Sequence, residues 1–329
     1  MAYRKNHVAS SCYLARWAGE DGRLCVVTPP QIESTLAKPQ SVGYRRDLWG
    51  RDATLRQAVE EALGRVETDI APVLRGLTSL WPLGPGTTDW FALAYLVAIH
   101  ILRTPYAHRR MLALQEPALK RQLPRLRRWD DAAVNQFLKV VTSDAWRAQI
   151  FSEQLPQVAT LVASMHWTLL EFRDEVLATS DQPVTIVPLL DGRPATAHTP
   201  LPVTGLADCQ EIRMALGPRH ALVLTWLNEP DEGLRLPGND WLAAELNHAV
   251  VGQADTQWFH HPVRRPTTLL PPLLDIRAAG PLGPQLFPDH SPDDLIHSQR
   301  RLDTFRNLER MIENPVPGEL RVAGVRRAA

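Results

Sequence analysis

Apolar residues recur at spacings of three and four between Asp52 and Leu80, where Leu55, Val59, Leu63, Val66, Ile70, Leu74 and Leu77 fall on one stripe. That period predicts an amphipathic helix buried along one side. Pro72 lies inside it and is expected to kink the helix or split it in two, because proline lacks an N–H and collides with the preceding turn. Gly84-Pro85-Gly86 then breaks the chain. From Trp90 to Leu102 only His100 interrupts an apolar run, with Thr88 or Asp89 placed to cap it. Such a helix rises about 20 Å, short of the ~30 Å hydrocarbon core, so it reads as a helix buried on all sides rather than a membrane span. Pro105 marks its end. Met111 to Trp129 is a basic helical stretch, and Asp130 opens another helix with Val134, Phe137, Leu138 and Val141 on one face. Leu155, Val158, Leu161, Val162 and Met165 carry a further helix to about Ser164.

Beyond that point the period changes. Trp167 to Phe172, Glu175 to Thr179 and Val184 to Pro188 read as strands, and Ile212 to Leu216 with Ala221 to Leu227 as a hairpin around Gly217-Pro218. Trp241 to Val251 returns to helix, and Thr256 to His260 adds a strand. Near the N-terminus, Arg23 to Thr28 is a β-branched run between Glu20-Asp21-Gly22 and Pro29-Pro30, one strand of a hairpin or a sheet edge. Eight prolines crowd the stretch from Pro262 to Pro292, and Asp293 to Ile312 follows as a charged amphipathic helix. No internal repeat is visible. Helices and strands are segregated, which predicts an α+β protein: a helical first half packed on a small mixed or antiparallel sheet from about residue 166, with a Pro-rich C-terminal appendage. The expected division is one large domain over residues 1–260 and an extension over 261–329.

Composition narrows the class. The chain has 329 residues, 36 Lys+Arg against 36 Asp+Glu, and 44% hydrophobic residues. That balance excludes a disordered chain and a purely basic nucleic-acid arm. Only Lys5, Lys38, Lys120 and Lys139 are lysines, a bias that a GC-rich genome accounts for. Cys12, Cys25 and Cys209 are odd in number and scattered, which fits a reducing compartment and neither a disulfide framework nor a structural zinc site. The polar stretch from Met1 to His7 leads into no apolar segment of a secretory signal. A soluble, cytoplasmic protein is expected.

Several motifs line up with a known layout. His7, Tyr13, Leu14 and Trp17 stand near the N-terminus; Arg103-Thr104-Pro105 ends the buried helix; Trp167 precedes Thr179-Ser180-Asp181-Gln182-Pro183-Val184; and Ala215-Leu216-Gly217-Pro218 is followed by Asn247. In these positions the chain resembles the bacterial and fungal family called domain of unknown function 4238, over roughly residues 7 to 260. The Ser-Asp-x-Pro turn is its most specific element. Two departures are Ala9-Ser10, where the family often has a proline, and Gly217, where it has a serine. The family has no agreed activity, so the resemblance implies a layout and candidate positions: His7, the Ser180–Asp181 turn, Arg103 and Asn247.

The residues themselves say what those positions can do. Asp181, at a strand end two residues before a proline, suits a turn in which its carboxylate accepts backbone N–H groups. In the functional reading Ser180 and Asp181 sit at the mouth of a sheet as base or arginine partner. Arg103 ends an apolar helix and cannot be buried alone, since an unpaired buried charge costs several kcal/mol. It requires either a protein carboxylate such as Asp181 or the phosphate or carboxylate of a ligand. His100 lies one turn earlier and can share that face, either as a satisfied core histidine or beside a ligand. His7 is the candidate proton carrier. Metal binding has little support: His260-His261 point to opposite sides of a strand, and His290 to His297 with Asp293 and Asp294 read as helix-start chemistry. No nucleotide-loop or nucleophile-elbow motif occurs, and no cofactor is expected. Between Arg103 and Arg128 eight basic residues face one acid, Glu116.

The candidate set is therefore His7, Asp181 and Ser180 as catalytic residues, with Arg103, His100 and Asn247 as ligand-binding residues. The first reading is an enzyme or small-anion-binding protein with a hydrolase-like acid–base pocket, in which Arg103 binds the anion, Asp181 orients or activates, and His7 moves a proton. One alternative is a non-catalytic module whose Trp-rich surface and Pro-rich tail bind a partner protein. Another is a nucleic-acid binder using residues 103–128, disfavoured by the neutral charge balance and by Asp130-Asp131 directly after it. No membrane partner is expected.

Overall fold

The computed structural model describes residues 5–31, 33–104, 143–188, 209–228, 233–266 and 281–291, together with 107, 132, 139, 206, 294, 299–304 and 306. The basic stretch Met111–Trp129, the apolar face after Asp130, and most of the Pro-rich segment and final helix lie outside the described residues. The chain begins with β1 (Lys5–His7) and α1 (Ser11–Leu14), which a 3-10 turn extends to Trp17. Then come β2 (Leu24–Val27), β3 (Ser34–Ala37) and β4 (Tyr44–Arg46). Helix α2 spans Ala53–Leu80, capped by Asp52, whose carboxylate accepts from Thr54 N (2.9 Å) and Leu55 N (3.2 Å). It runs through Pro72 without splitting, contrary to one of the two expected outcomes. Pro72 and Thr68, whose carbonyl the missing N–H would have served, both face solvent.

Helix α3 (Thr88–Leu102) starts one residue past its cap, Thr87, whose hydroxyl accepts from Trp90 N at 3.3 Å. It lies against both α2 and α4 (Asp144–Ser164) and is buried on nearly every side, Phe91 being the large exposed exception. The strands after it are β5 (His166–Glu171), β6 (Ala178–Ser180), β7 (Val184–Pro188), β8 (Cys209–Gly217), β9 (His220–Thr225) and β10 (Leu234–Pro237). Helix α5 (Asp240–Gly252), β11 (Trp258–His260) and the short α6 (Gly283–Leu286) follow. Among the described residues no helix is long and apolar enough to cross a membrane.

The fold is α+β, as the segregated pattern implied, and the helical half packs on sheet. Five strands in the order β10-β5-β9-β8-β7 form the larger sheet, with β10 parallel to β5 and the other pairs antiparallel. A second, antiparallel sheet in the order β3-β2-β11-β6 combines N-terminal strands with two from the second half, and β1 pairs with β4. Two indoles fasten helices to the larger sheet. Trp90 of α3 stacks on Trp167 of β5 at 3.8 Å, and their N–H groups donate to Ala163 O (3.1 Å) and Val162 O (2.9 Å) at the end of α4.

Strands β6 and β11 are shorter than the pattern implied, and side chains are the cause. Expected from Glu175, β6 starts at Ala178, because the Asn247 amide of α5 takes the neighbouring backbone groups: its Oδ1 accepts from Ala178 N and its Nδ2 donates to Val176 O, both at 2.7 Å. Likewise β11 starts at Trp258 rather than Thr256, because the N–H groups of residues 255–257 point at Asp181.

Tyr13 stitches the two main sheets together. Its hydroxyl donates to Ala215 O on β8 (2.6 Å) and lies 2.7 Å from Thr179 Oγ1 on β6. A carbonyl only accepts, so the single Tyr13 proton goes to Ala215 and the Thr179 hydroxyl donates to Tyr13. Replacing Tyr13→Phe keeps the ring and strands both partners in the core. Urea unfolding should show a loss of about 1–3 kcal/mol, and an unchanged midpoint would show that the stitch carries no stability.

Candidate functional site

Arg103 stands at the end of α3 with only 1% of its side chain exposed. Its anions come from α2. Nη1 donates to Glu67 Oε1 at 2.8 Å, and Nη2 to Glu60 Oε2 at 3.1 Å and Oε1 at 3.2 Å. The two glutamates are seven residues apart, hence on one helix face. The Arg103–Asp181 pairing considered from sequence does not form. A protein carboxylate does face the guanidinium, but from the adjacent helix.

The N-terminal arm closes over the same carboxylates. Asn6 Nδ2 and Trp49 Nε1 donate to Glu60 Oε1 at 3.2 and 3.0 Å, and Ser10 Oγ donates to Glu67 Oε1 at 2.8 Å. Leu48 N donates to Asn6 Oδ1 (3.0 Å), which fixes the amide's orientation. Gly43 lets the arm lie flat: its carbonyl accepts from Val8 N and Ala9 N, at a φ of 63° where an added Cβ would come within 2.9 Å of Leu14 Cδ1. Glu67 directs Oε1 inward, and its Oε2 takes no hydrogen bond among the described residues. Glu60 and Glu67 are each about a fifth exposed (18% and 19%), so the cluster is solid underneath and reaches solvent above.

Two histidines belong to this cluster and differ in character. His100 is fully buried. Its Nδ1 lies 2.8 Å from Leu96 O, and its Nε2 accepts from Ser10 N at 3.2 Å. Donor at Nδ1 and acceptor at Nε2 is the neutral tautomer, and burial pulls its pKa down to about 4. His100 is thus a satisfied core histidine that anchors the arm. His7, in β1, is half-buried, and its Nε2 lies 3.3 Å from Gln40 O. A carbonyl needs a donor, so the proton sits on Nε2 and Nδ1 carries the lone pair. Burial and then the Arg103 charge lower the His7 pKa from 6.5, partly opposed by Glu60 and Glu67. Cys12 also lies in reach of these charges. Burial, with Glu67 adding to it, pushes its thiol up to about 11, so it is protonated and a weak nucleophile at neutral pH.

The other candidates gather elsewhere. Asp181 is 2% exposed and collects four donors: Asp255 N at 2.8 Å on Oδ1, and Thr256 N (2.8 Å), Thr256 Oγ1 (2.6 Å) and Gln257 N (3.1 Å) on Oδ2. Burial raises its pKa, against these hydrogen bonds, which lower it. Ser180 Oγ donates to Gln182 O (2.9 Å) and accepts from Gln182 N (3.0 Å), a local turn. Asn247 brackets Val176 and Ala178, and Gln253 does the same for Gln182 and Val184 from the end of α5. The structure therefore sets His100 and Arg103 one turn apart at the end of α3 with His7 within reach of the Arg103 charge, and places Ser180, Asp181 and Asn247 in the β6–α5–β11 junction as backbone holders. Glu60, Glu67, Asn6 and Ser10 were missed from sequence. Glu60 and Glu67 each follow a stripe residue, Val59 and Val66, and that sevenfold repeat of acids was the available signal.

Among the described residues no group of three or more His, Cys, Asp and Glu is placed to hold a metal ion. A cavity of ≈ 390 Å³, lined in part by Trp90, Phe91, Asn228 and Arg300, opens at the N-terminal end of α3. Arg103 is at the opposite end, about 20 Å along the helix, so this cavity and the acid–base cluster are distinct features.

The family model described as protein of unknown function (DUF4238) matches residues 5–263. No curated protein and no solved structure is significantly similar to the chain.

The neutral His100 makes stability depend on pH. Its folded pKa lies below the ordinary 6.5, so the unfolded chain takes up a proton more readily. Its contribution is complete above pH 6.5 and is lost as pH falls towards 4, by up to about 3 kcal/mol. Urea unfolding across this range should show a steeper decline for the native chain than for His100→Gln, which carries no titrating group there. Equal slopes would contradict the assignment.

Proposed function

The chain belongs to the DUF4238 family, and from that premise we propose that it is an enzyme using general acid–base chemistry at His7, which lies in the field of Glu60, Glu67 and Arg103, with Arg103 as the group that positions both carboxylates. The observation that carries this reading is the disposition of Arg103. A fully buried guanidinium needs one carboxylate to offset its charge, and here it holds two, both reaching solvent, beside a neutral imidazole. Arrangements of this kind hold a base in one geometry before the substrate arrives.

The expected chemistry is ester hydrolysis. His7 Nδ1 takes a proton from water, the resulting hydroxide adds to the substrate carbonyl, and the imidazolium returns the proton to the departing alkoxide. Glu67 Oε2 is available to orient that water. Two carboxylates against one guanidinium leave the cluster with one net negative charge, which favours a neutral or cationic carboxylate ester. Because both Nη groups of Arg103 serve Glu60 and Glu67, the small anionic ligand considered from sequence has an internal substitute.

A panel of p-nitrophenyl acetate, acetylcholine and p-nitrophenyl phosphate tests the proposal. Hydrolysis of the carboxylate esters and not the phosphate is expected. His7→Asn and Glu67→Gln should each lower kcat/KM by about 100-fold or more while the His7→Asn chain melts within a few degrees of the native one. Activity should fall with pH through an inflection below 6.5, since His7 must be deprotonated to act. No turnover across the panel, or turnover unchanged in both variants, would overturn it.

A further inference from the structure

The five-stranded sheet has two unlike faces. Residues opposite each other across the strands, and residues two apart along one strand, point to the same side. By that register one face carries Trp167, Leu169, Leu222, Leu224, Ile212 and Met214, and Trp167 packs it onto α3. The other carries Leu170, Val223 and Val187 and, among them, six polar residues: His166 and Thr168 of β5, Thr225 of β9, Glu211 and Arg213 of β8 and Thr185 of β7. All six are at most 5% exposed. Among the described residues the hydroxyls of Thr168 and Thr225 have no hydrogen-bond partner. Charged and hydroxyl groups on a covered face are poor core material, because each needs a polar partner to offset its lost hydration.

Two of them, Glu211 and His166, are met by a segment from the far end of the chain. Glu211 accepts the backbone N–H of Gly283 on Oε2 at 2.8 Å, and Arg213 Nε donates to its Oε1. Phe287 meets the His166 ring edge-on, with centroids 5.7 Å apart at 80°, and packs with Leu227. His290 is edge-on to Phe287 at 6.2 Å, and Leu282 is fully buried. This segment lies beyond residue 263, where the family match ends. The strands belong to the shared family region, and their cover comes from outside it.

We propose that this polar face is a peptide-docking surface and that Leu282–His290 is its occupant in cis. It recognises a short segment offering one backbone N–H to Glu211 and, four residues on, an aromatic ring to His166 and Leu227. The Glu211 contact is to main chain and the ring contact is to one side chain, so a free peptide of the same sequence can take the same place. Leu282–His290 is then an internal ligand of the family region.

The test uses the full chain with Phe287→Ala, which removes the ring, and separately Gly283→Pro, which removes the N–H. Carbethoxylation of His166 by diethyl pyrocarbonate, read by mass spectrometry, should become at least ten-fold faster in both variants. Hydrogen exchange in α2 and α3 should stay as in the native chain. A fluorescent peptide of residues 281–291 should bind the Phe287→Ala chain and restore protection of His166. It should bind the native chain at least ten-fold more weakly. Unchanged labelling of His166, no binding of the peptide to the Phe287→Ala chain, or loss of protection spreading through α2 and α3 in both variants would each overturn the proposal. The last outcome would make the segment ordinary core.

Discussion

A guanidinium buried at the end of an apolar helix has to be met by anions, and that requirement organises the first half of this chain. Arg103 cannot reach water, so α2 must present Glu60 and Glu67 at the level where α3 ends. This fixes how far one helix slides along the other. The same carboxylates then receive Asn6, Ser10 and Trp49, so the path of the N-terminal arm follows from the charge that Arg103 brought inside. His100, one turn before Arg103, accepts a backbone N–H from that arm. With the arm in place, Tyr13 and Trp17 reach across to β6, β8 and the loop before β6. A single buried charge thus connects helix register, arm placement and sheet pairing.

The second half is joined by side chains that imitate backbone. Asn247 of α5 and Gln253 just past its end bond the chain around β6 as a neighbouring strand would, and the Asp181 carboxylate gathers the donors of the turn before β11. These residues lie 69 or more positions from their partners along the chain. Such contacts hold short strands in register without lengthening them. The turn most specific to the family, Ser180-Asp181-Gln182-Pro183, therefore has a visible structural task, and the proton chemistry is better sought at the other motif, around His7.

Local period carried most of the fold. The stripe from Leu55 to Leu77, the apolar run ending at Leu102 and the hairpin at Gly217-Pro218 are all where hydrophobic spacing placed them, because burial of one face decides those elements locally. What spacing could not show were strands whose partners lie far away: β1 with β4, and the parallel β10 with β5. Strands β1, β4 and β10 each have three or four residues and little alternation of their own. At the site, the need for an anion beside Arg103 was legible from desolvation cost alone. Its identity was not, because Glu60, Glu67 and Asp181 are equally good carboxylates until helix packing selects between them. His7 was visible only through a family motif, and its tautomer depends on Gln40, a contact made in three dimensions.

If Arg103 and its glutamates act as one unit, their energies cannot be independent, and a double-mutant cycle of Arg103→Met with Glu67→Gln measures this directly by urea unfolding. Arg103→Met alone should cost about 3 kcal/mol because it leaves two partly buried carboxylates without their cation. The double variant should lose less than the sum of the two single changes by at least about 1.5 kcal/mol. Losses that add to within about 0.5 kcal/mol would show that the guanidinium and the carboxylates act separately, and would contradict the central role given to this cluster.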